Sequence, residues 1–426
     1  INMKNILFTV IAIVIACGTT QAQFEKYFHE RTMRFDYYHC GDYQTEEYFF
    51  DELKAEPYWG GSKVTLLDNT GYGMQLFKII DKASGKEIYS RSFNTLFNEW
   101  QATDEAKHIR KAMPESVIFP YPKNPVRIEI YSRNKKGVFE KKFTQDINPE
   151  SYFIRPFTPQ YETFEVAYHG QPSKRIDLVL VPEGYAANEK EKFVEACQNF
   201  VNEFFSYSPY KEQANNFNVR AVWAPSKDSG VSLPGERVWK NTVANASFYT
   251  FDSERYQMIE DFQGLRDIAA HVPYEYIYVL SNTQKYGGGG IYNFYGISAA
   301  HHPTSTGKIY VHEFGHVLMG LGDEYVGTVS YSEMYPKNIE PWEENLTTLK
   351  DFDKKDWKKL IKPTTPIPTP QTEEYKNEVG VFEGGGYANK GIYRPFQTCL
   401  MKEFSTDKFC PVCTHAIIKH IQWLCC

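Results

Sequence analysis

One short stretch restricts this chain more than any other: His312-Glu313-Phe314-Gly315-His316. On an α-helix, side chains four positions apart lie about 40° apart around the axis and one turn along it. Two imidazoles so placed can share a single cation, and a glutamate beside the first can reach a water molecule held there. The stretch therefore demands a helix, and Phe314, Val317, Leu318 and Met319 supply the apolar side chains that would seat it in a core. A turn must follow. Gly320 and Gly322 are permissive residues that stop a helix and let the chain swing back toward the cation. Asp323 then arrives as the favoured third ligand, with Glu324 its close competitor. A more distant glutamate, Glu333, Glu343 or Glu344, is a further option that the short return disfavours. A set of two histidines and a carboxylate suits Zn2+, which lowers the pKa of a bound water to about 7, and Glu313 can take and redeliver that water's proton. The competing reading, two satisfied histidines on a buried helix, is weakened by the glycine-rich return and the carboxylate behind it.

The rest of the chain falls into two textures, and 426 residues leave room for two or three domains with a core each. From Ser62 to Thr144 the pattern is strands and hairpins. Met74–Ile80 and Glu87–Phe93 flank a turn at Lys82–Gly85, and Val126–Ser132 returns as Val138–Thr144. That is an antiparallel β-sandwich pattern, interrupted near 96–113 by a polar stretch read as helical. Residues 23–45 show no clear periodicity, and prolines at 149, 156 and 159 put a boundary near 160. Beyond it, Ile176–Val181 reads as a strand buried on both faces. Phe193, Cys197, Phe200, Val201 and Phe204 share one helical face, and a second helix runs from about Asp252 to Ala270. Phe217–Ala224, Tyr274–Leu280 and Ile291–Ala300 read as further strands. Such alternation implies an α/β layer with a largely parallel sheet. After about 330 the chain turns irregular before a final helix near 411–424. The fold class expected is two-domain α+β: an N-terminal antiparallel β-sandwich over 23–160, then an α/β domain over 161–426 that carries the His312–His316 helix and ends in an irregular C-terminal subdomain. Gly287–Gly290 is no phosphate loop, since a strand follows it. It reads either as a flexible turn or as a loop beside a cleft-edge strand, where an extended peptide could pair.

Residues 1–22 read as a signal peptide: Lys4, an apolar run from Ile6 to Ala16, and a small-x-small cleavage signature at Thr20-Gln21-Ala22. The apolar run is too short to cross a bilayer comfortably. Val14-Ile15-Ala16-Cys17 offers a second reading, a lipobox that would leave a lipid anchor at Cys17. Either way the mature chain is expected to be secreted, periplasmic or at the cell surface, with no transmembrane span. A net charge of −6 without a large basic block argues against a nucleic-acid partner. Of the eight cysteines, seven follow Cys17, so at least one is unpaired in a monomer, and Cys197 is favoured. In an oxidising compartment, disulfides are the expected state of the C-terminal cysteines, with a zinc knuckle at Cys410-Pro411-Val412-Cys413 the less favoured reading.

The run from His312 to Asp323 resembles the metzincin zinc peptidases, whose consensus is His-Glu-x-x-His-x-x-Gly-x-x-His/Asp followed by a Met-containing turn. Cys399-Leu400-Met401 resembles that turn. With Gly320-Leu321-Gly322-Asp323-Glu324-Tyr325, Tyr393-Arg394-Pro395 and Phe409-Cys410-Pro411-Val412-Cys413, the fuller pattern is similar to the IgA-peptidase (igalysin) family, which also carries an N-terminal β-rich domain. The resemblance covers most of the mature chain and is densest from about 165 onward. One departure stands out: Gly320 lies four residues after His316 where the consensus has three, and the whole return loop is shifted by one. The resemblance implies a metzincin-like catalytic domain with Zn2+ on His312, His316 and Asp323 and with Glu313 as general base and acid. It implies Met401 as a packing floor and makes Tyr393 a candidate donor to the developing oxyanion. Cys40 loosely resembles the cysteine that blocks zinc in some latent metzincins, although a half-buried structural cysteine is the favoured reading. His301 and His302 read as surface or packed residues. The expectation is thus an exported zinc endopeptidase acting on a protein or peptide. The alternative is a catalytically silent surface module binding protein or glycan, against which an intact Glu313 counts. Nothing in these residues specifies the substrate.

Overall fold

The computed structural model describes residues 22–304, 306–327 and 334–425. The expected signal peptide up to residue 21, with Cys17, and also Glu333 and Cys426 lie outside the described residues. A helical turn, α1 (22–27), leads into a β-rich region. Its strands are β1 (Phe28–Gly41), β2 (Glu46–Glu56), β3 (Gln75–Asp81), β4 (Glu87–Phe93), β5 (Lys111–Pro122), β6 (Val126–Arg133), β7 (Phe139–Ile147) and β8 (Arg155–Pro156), with α2 (Leu96–Gln101) between β4 and β5. They form two four-stranded sheets, in the orders β5-β1-β2-β8 and β4-β3-β6-β7. All pairings are antiparallel except the short parallel one between β2 and β8. Phe35 and Phe119 of one sheet share a core with Phe77, Ile79, Ile128 and Ile130 of the other.

The stretch that lacks clear periodicity in the sequence holds β1. Met33, Phe35 and Tyr37 are buried, and so are the intervening Arg34 and Asp36. Arg34 donates from Nε to Asp36 at 2.7 Å and from Nη1 to Asp267 at 2.8 Å. The expected helix near 96–113 is shorter, ending at Gln101; a 3-10 turn at Glu105–Lys107 follows, and then β5 begins.

The second region contains β9 (Glu162–Ala167), β10 (Ile176–Glu183), α3 (Lys190–Phe204), β11 (Phe217–Trp223), α4 (Phe262–Ala269), β12 (Tyr276–Ser281), β13 (Gly288–Ile291), β14 (Tyr295–Ala299), α5 (Thr306–Met319), β15 (Phe382–Gly385), β16 (Ala388–Arg394) and α6 (Pro411–Leu424). Its main sheet runs β13-β14-β12-β10-β11-β9; the four inner strands are parallel and both edge strands antiparallel. Every residue of β10, β11 and β12 is buried. Successive side chains on a strand point to opposite faces. Leu178 and Leu180 accordingly join Phe200, Phe314 and Ile417 from α3, α5 and α6, while Val179 and Val181 join Phe262 and Leu265 of α4. This second core also takes in Leu96, Phe97 and Trp100 of α2, so the two regions share it.

Three further expectations are corrected. The helix placed from Asp252 starts only at Phe262, where the Asp261 side chain caps it by accepting from the Gly264 amide at 2.9 Å; Phe251 and Asp252 have positive φ and cannot continue a helix. The strand placed at Ile291–Ala300 is a hairpin whose first arm includes three of the four glycines. The disulfides expected of the C-terminal cysteines are not formed among the described residues Cys399, Cys410 and Cys413, which are free thiols, as are Cys40 and the buried Cys197. No helix among the described residues is long and apolar enough to cross a membrane.

Candidate metal centre

Helix α5 crosses beneath β13 and β14, and its C-terminus is set by Gly320, whose φ of 64° no other residue adopts as cheaply. Strand β13 lies so close to the helix that a Cβ on Gly290 would sit 2.3 Å from the Glu313 carbonyl oxygen. This approach accounts for glycine where strand propensity would favour a branched residue.

His312 Nδ1 lies 2.9 Å from the Leu400 carbonyl, and His316 Nδ1 faces the Leu321 carbonyl. A carbonyl only accepts, so each Nδ1 carries the proton and each Nε2 is left with a free lone pair. Those two Nε2 atoms are 3.3 Å apart, and Asp323 Oδ1 is 3.2 Å from one and 3.4 Å from the other. The edge of a tetrahedron is about 1.6 times its centre-to-corner distance, so zinc bonds of about 2.0–2.1 Å require edges of about 3.3–3.4 Å. The triangle has those dimensions. Asp323 Oδ1 is also buried without a hydrogen-bond donor. Two lone pairs and an unpaired carboxylate oxygen converging on one point form a set that a cation completes. The same charges set a competition between proton and cation: although burial opposes it, Asp323 pulls His316 up to about 9, and the imidazoles hold Asp323 well below the usual carboxylate range, so a cation bound here displaces a proton from Nε2. Glu313 is partly buried on the same wall and lies within 4.8 Å of the imidazole nitrogens; burial pushes its carboxyl above the ordinary value.

Asp323 is held from behind. Tyr387 donates its hydroxyl to Asp323 Oδ2, and the Gly386 amide donates to the Asp323 carbonyl at 2.8 Å. Asn345 clamps the return loop, accepting from the Gly322 amide and donating to its carbonyl, both at 2.8 Å. Glu324, the competing ligand, faces elsewhere. Its amide donates to the Met401 carbonyl at 2.8 Å, and its buried carboxyl meets Asn345 at 2.9 Å and Cys413 at 3.1 Å. Of the distant glutamates, Glu344 accepts from Tyr72 at 3.0 Å, and Glu343 lines the cleft while accepting from Tyr335 at 3.2 Å.

Met401 is fully buried, and its sulfur would lie 3.1 Å from a Cβ on Gly315, directly against α5. Tyr393 is not brought to the cleft: its backbone exchanges hydrogen bonds with Thr347, and its ring packs on the core. The tyrosines on the cleft wall include Tyr286, Tyr325 and Tyr387. Cys40 pairs across β1 with Glu47 and Ala112, and neither it nor His301 or His302 lines the cleft. Sequence reasoning missed Tyr387, for which the only local signal is the glycine run before it. It also missed Asn94 and Glu99, which the β-rich region contributes to the cleft. Gly287–Gly290 form part of the wall as well, so the glycine run is an edge strand beside a cleft and no free turn.

Residues 164–378 and 371–421 match the family described as IgA Peptidase M64, and residues 23–144 match the one described as Peptidase M64 N-terminus. No individually curated protein matches the chain.

Proposed function

Because the chain belongs to the M64 family of IgA peptidases, we propose that it is an exported zinc metalloendopeptidase in which His312, His316 and Asp323 hold the metal and Glu313 moves the proton. The observation that carries this reading is the triangle of two Nε2 atoms and one Oδ1, all within 3.4 Å of one another. Zn2+ bound there supplies a Lewis acid for the scissile carbonyl and lowers the pKa of a water to about 7. Glu313, whose carboxyl is pushed up by burial, would be the group to take a proton from a water held there and return it to the leaving amine. Past its bridge with Tyr256, β13 borders the cleft and offers an edge along which an extended substrate backbone can add. The cleft's glycine wall suits such a backbone. A silent binding module has no use for a carboxylate poised beside two imidazoles.

In this reading residues 23–160 form a β-sandwich accessory domain, and residues 161–426 a metzincin-like catalytic domain. Residues 1–22 are the signal peptide, removed after Ala22, with lipidation of Cys17 the alternative fate. The mature protein then works outside the cytoplasm, secreted, periplasmic or on the cell surface.

The test is cleavage of a diverse peptide library, with immunoglobulin A from the family's name included, read by mass spectrometry. Glu313→Gln and a chelated sample run alongside, and bound metal is assayed in each. The expected result is a set of cuts lost in both controls, with zinc retained in Glu313→Gln and the rate down about 10²–10⁴-fold. Cuts that survive both controls would sink the reading.

A further inference from the structure

A second group of metal-ligating side chains lies behind the first. Cys399, Cys410, Cys413 and Glu324 are all buried, and one atom of each lies within 4.8 Å of the others. They come from three places: the residue before Leu400-Met401, the N-cap and first turn of α6, and the residue after Asp323. Cys399 Sγ and Cys413 Sγ are 3.8 Å apart, and Cys413 Sγ is 3.1 Å from Glu324 Oε1. Zinc–sulfur bonds of about 2.3 Å require a tetrahedral S···S edge of about 3.8 Å, whereas a disulfide closes to about 2.05 Å. Backbone amides are aimed at the sulfurs as acceptors: Cys410 N–H at Cys399 Sγ, 3.2 Å, and Cys413 N–H at Cys410 Sγ, 3.5 Å. Glu324 Oε2 is buried with no hydrogen-bond partner. A carboxyl sealed among three thiols with an orphaned oxygen is costly unless a cation joins it.

We infer that Cys399, Cys410, Cys413 and Glu324 bind a second, structural Zn2+. The three thiols give up their protons on binding, no electron is transferred, and the four ligands close the coordination shell as structural sites require. The site's position gives it a task. Its ligands flank Leu400, whose carbonyl orients His312, and Asp323, whose carboxylate completes the first triangle. The backbone link between the Glu324 amide and the Met401 carbonyl joins the same two segments at 2.8 Å. The second ion thereby fastens the return loop to the Met-turn and positions two of the groups that hold the first.

The test is zinc content per chain, measured by elemental mass spectrometry on protein kept reduced. Two ions in the wild type, one in His316→Ala and one in Cys413→Ser are expected. Should Cys413→Ser fail to fold, the His316→Ala protein answers alone: cobalt exchanged into it should give thiolate-to-metal charge-transfer absorption, and a mercurial should release its remaining zinc as thiols are consumed. Wild-type protein with one zinc that His316→Ala leaves in place would support this site while overturning the one at His312 and His316. One zinc lost entirely in His316→Ala would overturn the inference. So would peptide mapping that finds a disulfide between any two of Cys399, Cys410 and Cys413 in active protein.

Discussion

The Tyr387 hydroxyl occupies Asp323 Oδ2, so that Oδ1 remains turned toward the imidazoles. Partners that orient a ligand from behind are commonly worth about 10–100-fold in metal affinity. Tyr387→Phe is therefore expected to keep the fold and lose zinc to a chelator at a concentration lower by about that factor. A different residue sets a pH dependence remote from the cleft. His39 is fully buried, with Nδ1 3.1 Å from Glu115 and Nε2 3.0 Å from Glu46. Burial by itself would lower its pKa, but the two carboxylates override it and raise the value from 6.5 to about 9. The folded state thus prefers the imidazolium. Its contribution is complete below pH 6.5 and fades as pH climbs toward about 9. At about 1.4 kcal/mol per unit, the amount at stake is on the order of 3–4 kcal/mol. The midpoint of thermal unfolding should fall across that window in the wild type, and His39→Gln should flatten the fall.

Between elements, the tightest constraint is the approach of β13 to α5 at Gly290. Alanine there puts a carbon 2.3 Å from a main-chain oxygen, which cannot rotate away, so the strand must lift off the helix. Overpacking of this kind costs about 1–3 kcal/mol. Gly290→Ala should lower the unfolding midpoint and lose activity beyond what that loss explains, as calorimetry and peptide cleavage would show together. The elements best legible in the sequence are those whose burial follows one period. β3 and β6 have one buried face, β10 is buried on both, and α6 spans Pro411–Leu424 where the apolar run places it. β1 escaped because its charged face is as buried as its apolar one, neutralised by Asp267 of a helix far along the chain. The choice between Asp323 and Glu324 stayed open for a similar reason. Adjacent carboxylates look alike locally, and what turns one toward histidines and the other toward cysteines is supplied by Tyr387, Asn345 and Met401. The cysteines misled in the opposite direction, because compartment chemistry favours disulfides while the sulfurs here stand at non-bonded distance.

At the scale of the molecule, the β-rich region is built into the rest. Besides the core that α2 shares with α4 and the main sheet, the Asn94 amide donates to Tyr292 at 2.9 Å and Thr65 donates to the Trp423 carbonyl at 2.9 Å. A chain begun at residue 161 would lack Leu96, Phe97 and Trp100 and so leave open part of the core they share with Val179, Phe262 and Leu265. It is expected to aggregate or to melt without a cooperative transition, by gel filtration and calorimetry; a soluble, active 161–426 would overturn this. The wiring of His312 adds a matter of timing. A ribosome delivers α2 early, the two imidazoles late, and the Leu400 carbonyl that fixes the first imidazole later still. Until residue 400 has emerged, His312 has no acceptor to choose its tautomer, and the clamp from Tyr387 has only just been made. The order of synthesis thus leaves the triangle without its full support until nearly the whole chain has been made.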